Sequence, residues 1–450
     1  MNRFTTNRVT RLAGRIAKGW RVYTERRVLI ILFLGFSSGL PLALTGSTLS
    51  IWMADRGVDL GTIGLFSLVG LPYVLKPVWA PLIDAVRLPW LTARLGRRRG
   101  WLLASQLGLM AAIIVMGLID PVAAPLAMAI AALGVAFASA TQDIIIDAFR
   151  VESLDESQYA AGMANYVAAY RLALLAAGAG AIALVATFEA AGIGAATVWS
   201  LAYGVMALLV LIGVGAILLA PEPEPEAGSA PEGRAGRQAA LLSWSAQAER
   251  ALVRPFTDFA AKPQWAAILL FVMLFKFGDA FAGAMVAPFA LDLGFEKTVY
   301  AYIANGIGLP AVLLGGFLGG WLGRVLSVRT GLWTAGILQM VSNLAFCWLA
   351  IVGPESCALG FAVAIEAFTG GIGTVIFVAY LSGLCRSREF TATQFALLSA
   401  LAAVGRTLLS ASAGYAAAAV GWPVFFLVTT LAAVPGLILL WWLGRKGALN

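Results

Sequence analysis

Apolar residues in this chain gather into long, nearly unbroken runs rather than alternating or recurring once per helical turn. A hydrocarbon core of about 30 Å takes about 20 helical residues to cross. Runs of that length are expected at 28–53, 60–84, 100–119, 124–149, 160–187 and 195–220, then at 264–291, 298–322, 330–352, 356–384, 391–420 and 422–444. The pattern predicts an all-α integral membrane protein of twelve transmembrane helices in two bundles of six. Membrane-spanning strands would read as alternating segments of about ten residues, and the sequence has none.

Polar stretches divide the runs into domains. Residues 1–27 form an N-terminal segment, 28–220 a first six-helix bundle, 221–263 a linker, 264–444 a second bundle and 445–450 a tail. The linker opens with PEPEPEAGSAPEGRAGRQAA, a tract too poor in apolar residues to bury a core and expected to be disordered. Basic residues interleaved with Trp20 and Tyr23, and charges around Trp244 and Leu252, predict helices lying on the membrane surface over 1–27 and 241–254. The first span is too long for a cleaved signal peptide.

Composition narrows the chemistry. The chain is 60% hydrophobic and 12% charged, where soluble domains carry about twice that charge. Its 49 glycines allow the close helix approach of packed membrane bundles. It has no histidine, and Cys347, Cys357 and Cys385 are scattered. That argues against a metal site, a disulfide framework or a Ser/His or Cys/His pair, so neither an enzyme nor a cofactor is expected. The net charge of +8 follows from topology rather than nucleic-acid binding. Of the 31 Lys and Arg, Arg56 and Lys297 fall in odd-numbered loops and Lys76, Arg171, Lys276 and Arg406 within spans. The rest occupy the termini, the even-numbered loops and the linker, which predicts that both termini are cytoplasmic.

Charges at membrane depth are costly and normally face a cavity or a partner. Four basic spans' residues (Lys76, Arg171, Lys276, Arg406) meet four acidic ones: Asp143, Asp147, Asp279 and Glu366. Lys276 and Asp279, three apart, share a helix face and can pair. Arg171 lies about 16 Å into its helix, where a guanidinium needs a carboxylate from protein or substrate. Glu366, near mid-depth without a same-helix partner, is the leading candidate to take up a proton; with histidine absent, any proton coupling runs through such carboxyls. Asp143 and Asp147 share one face of the fourth helix. Asp147 is expected within about one turn of the cytoplasmic end, paired with Arg150 or with Arg97, Arg98 and Arg99, and Asp143 about one turn deeper. Asp84, at the end of the second span, can latch onto the same arginines. Gln142, Asn165, Tyr166, Tyr170 and Asn305 accompany these charges and suit the hydroxyls and amides of sugars and peptides.

The halves echo each other. Gly70, Leu71 and Pro72 recur as Gly308, Leu309 and Pro310, and Arg171 as Arg406. Six, linker, six is the plan of the major facilitator superfamily. The stretches LGFSSGLPLALTGSTLSIWM (34–53), DLGTIGLFSLVGLPYVLKPVWAPLID (59–84), GRRRGWLLASQ (96–106), ASATQDIIIDAFR (138–150), GMANYVAAYRLALLAAG (162–178), FKFGDAF (275–281) and TATQFALLSALAAVGR (391–406) together closely resemble the AmpG family of muropeptide permeases. That resemblance implies import of N-acetylglucosaminyl-1,6-anhydro-N-acetylmuramyl peptides across the bacterial inner membrane. It further implies that H+ is the coupling ion and that the processes served are peptidoglycan recycling and β-lactamase induction. It carries the family's acidic pair onto Asp143 and Asp147, its Tyr-Arg onto Tyr170 and Arg171, its Lys and Gly-Asp-Ala onto Lys276 and Gly278 to Ala280, and its Glu onto Glu366. Ala367 stands where the family has Asn, Asn305 where a Lys is common, and two further C-terminal spans of some relatives do not follow here.

The resulting expectations are proton coupling through Glu366, Asp143 and Asp279, with substrate contacts from Lys76, Gln142, Asn165, Tyr166, Tyr170, Arg171, Lys276, Asn305 and Arg406. The expected cytoplasmic gate is Asp84, Arg97, Arg98, Arg99, Asp147 and Arg150. The partners are a sugar-peptide and the bilayer, with no nucleic acid, and the protein is expected to be a monomer. Uptake of a siderophore or other peptide or acyl conjugate is the alternative transport reading, and a non-transporting pigment-assembly role, which would favour histidine in the spans, is a further one.

Overall fold

A computed structural model describes residues 20–58, 60–223, 254–283, 285–385, 390–410 and 412–447. Most of the linker tract and of the two expected surface helices lies outside these residues; within them Arg21–Thr24 is a short 3-10 turn and Arg254–Ala260 a short helix. In chain order the spans are α1 (Arg26–Asp55), α2 (60–85), α3 (Arg97–Gly117), α4 (Pro125–Ser153), α5 (Glu156–Ala190), α6 (Thr197–Leu219), α7 (Trp265–Asp292), α8 (Ala304–Val325, preceded by Lys297–Ile303), α9 (Val328–Val352), α10 (Ser356–Leu384), α11 (Thr391–Ser410, continuing as Ala413–Val420) and α12 (Trp422–Arg445). Ten of them are long and apolar enough to cross a membrane, and the described residues contain no strand.

The other two, α2 and α11, are assembled from shorter pieces, and proline explains the first. Pro72, Pro77 and Pro81 each stand at the start of a new piece, Leu71–Leu75, Lys76–Val78 and Ala80–Ala85. Each lacks the N–H that would continue the helical ladder. The repeated Gly-Leu-Pro marks the same event in both halves. At Gly70 a 3-10 turn passes into Leu71–Leu75, and at Gly308 the π-turn Ala304–Gly308 passes into Leu309–Val325.

The boundary that bears on the site is the end of the fourth helix, which continues to Ser153, four residues past its expected end at 149. Arg150 and Glu152 are drawn into the protein by ion pairs described below, which satisfy charges that sequence alone assigns to a loop. Asp143 therefore lies about 15 Å along the axis from that end, near mid-depth, and Asp147 about 9 Å.

Apolar packing separates two faces of the bundle. The face that carries the N-terminal turn, the Arg97–Arg99 cluster and the end of α12 is here called the basic face. On the opposite face one core is built wholly from α1 to α6, centred on Trp52, Trp199 and Tyr203, and another wholly from α7 to α12, centred on Phe289, Phe425 and Phe426. On the basic face the cores are shared. Ala392 and Ala396 of α11 pack among Ile144, Ile145 and Phe149; Val151 packs with Tyr380 and Phe395; Ala160 and Ala164 pack with Val375. The halves are thus fused at the basic face and independent at the other.

Close approach at the seam depends on Gly320 of α8. A Cβ there would lie 2.4 Å from the Tyr23 hydroxyl, 3.1 Å from the Ala160 carbonyl oxygen and 3.1 Å from the Ala161 Cα. Two of these are backbone atoms of α5, which cannot step aside. Gly320→Val is expected to cost the fused state about 1–3 kcal/mol. Amide hydrogen exchange should accelerate across 159–169 and 317–324, and unchanged exchange there would show that the seam tolerates the side chain.

Candidate functional site

Each half places one lysine between two carboxylates. In the first half, Lys76 of α2 lies 3.8 Å from Asp147 of α4, whose other oxygen accepts from Arg150 at 3.2 Å. One turn deeper, Asp143 accepts from the Ser38 hydroxyl of α1 at 2.5 Å, and Ser38 in turn meets the Tyr166 hydroxyl of α5 at 2.7 Å. Tyr73, Tyr170 and Lys76 also lie within electrostatic reach of Asp143. With Lys76 and Arg150 set against Asp143 and Asp147, this cluster is balanced.

In the second half, Lys276 of α7 lies 3.4 Å from Asp279 and donates to the Thr374 hydroxyl of α10 at 2.7 Å. Glu366, two turns along α10 from Thr374, faces both Lys276 and Asp279 electrostatically, and Tyr300 stands near it. Among the described side chains, two carboxylates here share one ammonium, a set that a single proton balances, whereas the described set of the first half is balanced without one.

The remaining predicted substrate residues divide. Arg171 is exposed on α5 beside Tyr170 and makes no ion pair among the described residues. Gln142 is fully buried with both amide atoms unpaired among the described residues, a costly state for an amide. Asn305 is exposed in the π-turn of α8. Asn165 is turned to the basic face, where its amide donates to the carbonyls of Tyr23 at 3.1 Å and Val28 at 3.4 Å. Arg406 belongs to α11, and its side chain lies outside the described residues.

The basic face is closed by a buried charge network. Arg98, 1% exposed, reaches Asp84 at 2.8 Å and both oxygens of Glu152, the nearest contact being 2.5 Å. The other oxygen of Asp84 accepts from the Thr393 N–H at 2.8 Å and its hydroxyl at 2.7 Å, joining α2 to the first turn of α11. Arg150 crosses the same seam, donating to the Ser382 hydroxyl of α10 at 3.0 Å with its guanidinium 5.0 Å from the centre of the Phe395 ring. Arg97 donates to the Asp84 carbonyl oxygen at 3.0 Å. Arg99 turns instead to α6, donating to the carbonyls of Ile217 at 3.0 Å and Leu218 at 3.1 Å. Glu222 caps α3 by accepting from the N–H groups of Arg98 at 2.8 Å and Arg99 at 3.0 Å, and burial pushes its carboxyl above the ordinary value.

Glu152, Ser38, Thr374, Ser382, Thr393 and Glu222 hold this arrangement, and sequence reasoning passed over all six. Glu152 alone left a signal: three arginines at 97–99 outnumber the single Asp84 at that end, and Glu152 follows Arg150 within two residues. The four hydroxyl residues leave none, because serine and threonine are ordinary in membrane helices.

A family profile described as Major Facilitator Superfamily matches residues 31–391. The anhydromuropeptide permease of Escherichia coli K12 is 41% identical over 93% of this chain and 80% of its own length. A Rickettsia felis protein described as transporter AmpG 4 is 32% identical over 95% of this chain and 98% of its own. Among solved structures, the fucose:proton symporter of E. coli has the same fold, with a TM-score of 0.65 at 14% identity over 92% of this chain and 98% of that one. A fold of two six-helix bundles, a profile covering most of the chain and relatives matched over four fifths or more of their own length agree: the chain belongs to the Major Facilitator Superfamily and, within it, to the family of the anhydromuropeptide permeases.

Proposed function

We propose that this protein is a proton-driven importer of N-acetylglucosaminyl-1,6-anhydro-N-acetylmuramyl peptides, carrying them from periplasm to cytoplasm for peptidoglycan recycling and β-lactamase induction. The observation that carries this reading is the 41% identity to the E. coli anhydromuropeptide permease over 93% of the chain. In this reading the basic face is cytoplasmic, which the concentration of Lys and Arg there supports. A substrate entering from the opposite side meets Arg171, whose guanidinium, without an ion pair among the described residues, is matched to a stem-peptide carboxylate. The second-half cluster of Lys276, Asp279 and Glu366 takes up the coupled proton, since one proton balances its charge. Loading of both sites releases the Arg98–Asp84–Glu152 latch, and the halves rock open toward the cytoplasm.

Accumulation of radiolabelled anhydromuropeptide in right-side-out vesicles tests the reading. A potential of about 100 mV sustains roughly 50-fold accumulation per net positive charge carried inward with the substrate. A protonophore should abolish that gradient, and Glu366→Gln should do the same while leaving exchange of labelled for unlabelled substrate. Accumulation indifferent to the protonophore would end the coupling claim, and absence of any muropeptide uptake by wild type would end the substrate claim.

A further inference from the structure

The basic face is fastened along both edges of the seam between the halves, and the two fastenings are built differently. On one edge the groups belong to the spans themselves: Asp84 of α2 holds Thr393 of α11, and Arg150 of α4 holds Ser382 of α10. On the other edge, between α5 and α8, polar contacts come from the 3-10 turn Arg21–Thr24 and from Glu25, all of which precede the first span.

The backbone of this turn is mounted on the first half. Val22 is fully buried in a core with Ile31 of α1 and Phe149 of α4, and the buried amide of Asn165 in α5 donates to the Tyr23 carbonyl at 3.1 Å. The side chains reach the other way. The Tyr23 hydroxyl donates to the carbonyl of Phe317 in α8, its ring meets the Phe317 ring edge-on with centres 5.4 Å apart, and it packs in one cluster with Val375 and Ala379 of α10. Gly320 leaves the groove in α8 that admits this hydroxyl, since a Cβ there would occupy its place. Glu25 accepts from Gln158 of α5 and lies 3.6 Å from Arg324 of α8. A turn that belongs to no span can release α8 by giving up these side-chain contacts, with no helix of its own to move.

We propose that Arg21–Thr24 and Glu25 form a bolt: mounted on the first half, it locks α8 through Tyr23 and Glu25 and is withdrawn from α8 each time the basic face opens. Contacts made only in the closed state shift the balance of closed and open forms by their own free energy. In this role Asn165 seats the bolt. Its neighbour Tyr166 meets Ser38, which holds Asp143, so the seat of the bolt and the first-half charge cluster adjoin on one helix. The bolt rests on the alternating opening of the proposed transport cycle, yet its test reads closure of the basic face and needs no substrate. Absence of muropeptide uptake would end the substrate reading and leave the result for the bolt standing.

The test labels full-length protein in dodecyl maltoside with a maleimide at Cys385, buried at the end of α10, with the exposed Cys357 as the reference thiol. Tyr23→Phe keeps the ring and removes the hydroxyl; it should raise the Cys385 rate about fivefold, the worth of one hydrogen bond. Glu25→Gln and Arg324→Gln should each raise it about threefold, the worth of a partly exposed ion pair. The double variant Glu25→Gln, Arg324→Gln should do no more than either alone, because the two side chains act as one contact across the seam. Arg21→Gln, an exposed position in the same turn, should label as wild type does. Wild-type Cys385 rates in both Tyr23→Phe and Glu25→Gln, a rise of about ninefold in the double variant, which is the product of independent effects, or an equal rise at Cys357 or in Arg21→Gln would each overturn the proposal.

Discussion

Arg98→Ala is expected to unlock the basic face and raise the labelling rate of Cys385 by about 100-fold. The arginine is 1% exposed and the side chains of Asp84 and Glu152 are each 5% exposed. Removing one member of a buried ion pair costs about 3–5 kcal/mol, because the partners' charges stay buried without compensation. Here the two carboxylates are left with only Arg97, 3.9 Å from Glu152, to offset them, and Asp84 keeps only its bonds to Thr393 to hold α11. Opening of the seam exposes Cys385, which is 6% exposed and lines a cavity of about 200 Å³ together with Glu152, Ser382 and Thr391. A loss of about 3 kcal/mol corresponds to about a 100-fold larger open population. Maleimide labelling of the native thiol reads this directly, with the exposed Cys357 as an internal control for general access. Adding Glu152→Gln removes one of the stranded charges and should bring the rate partly back. Labelling at the wild-type rate in Arg98→Ala would mean that the apolar seam, not the charge network, closes this face.

Much of this design is legible in the sequence because membrane solvation dictates it. Span positions follow from the length of apolar runs, and the face that carries the arginines follows from their loops. The charges within the spans stood out because each one breaks an apolar run. The pairing of Lys276 with Asp279 was readable from a spacing of three, and Asp84 against the arginine cluster from a short loop. Partner choice across helices was not readable. That Arg98 rather than Arg99 enters the network depends on the rotation of α3, which directs Arg99 to the carbonyls of Ile217 and Leu218. Likewise Asn165 looks like a substrate ligand from its neighbours Tyr166 and Tyr170, yet successive helical residues point about 100° apart. Its amide faces Tyr23 and Val28, while Tyr166 faces Ser38. The breaks in α2 were written in Pro72, Pro77 and Pro81, but hydropathy averages over them and reports one run.

Lys276→Met should abolish uphill uptake, lowering accumulation to the level of a protonophore-treated membrane, and Lys276→Met with Asp279→Asn should recover part of it. In the wild type the Lys276 ammonium is 3.4 Å from Asp279 and bonded to Thr374 at 2.7 Å, with Glu366 facing the same charge. Without it, two carboxylates confront each other across the gap between α7 and α10 with no cation between them among the described side chains. Like charges brought together at membrane depth repel by several kcal/mol where water is scarce. The group then has to hold a proton in every conformation, and a proton never released drives nothing. Removing Asp279 as well leaves Glu366 as a lone site, which can again cycle between charged and neutral. Exchange of labelled for unlabelled substrate separates this from a folding defect: it should persist in the single variant, because exchange needs the halves to rock but needs no net proton movement. Normal accumulation by Lys276→Met would place the coupled proton outside the second-half cluster and return attention to Asp143, which sits at similar depth beside Ser38, Tyr166 and Lys76.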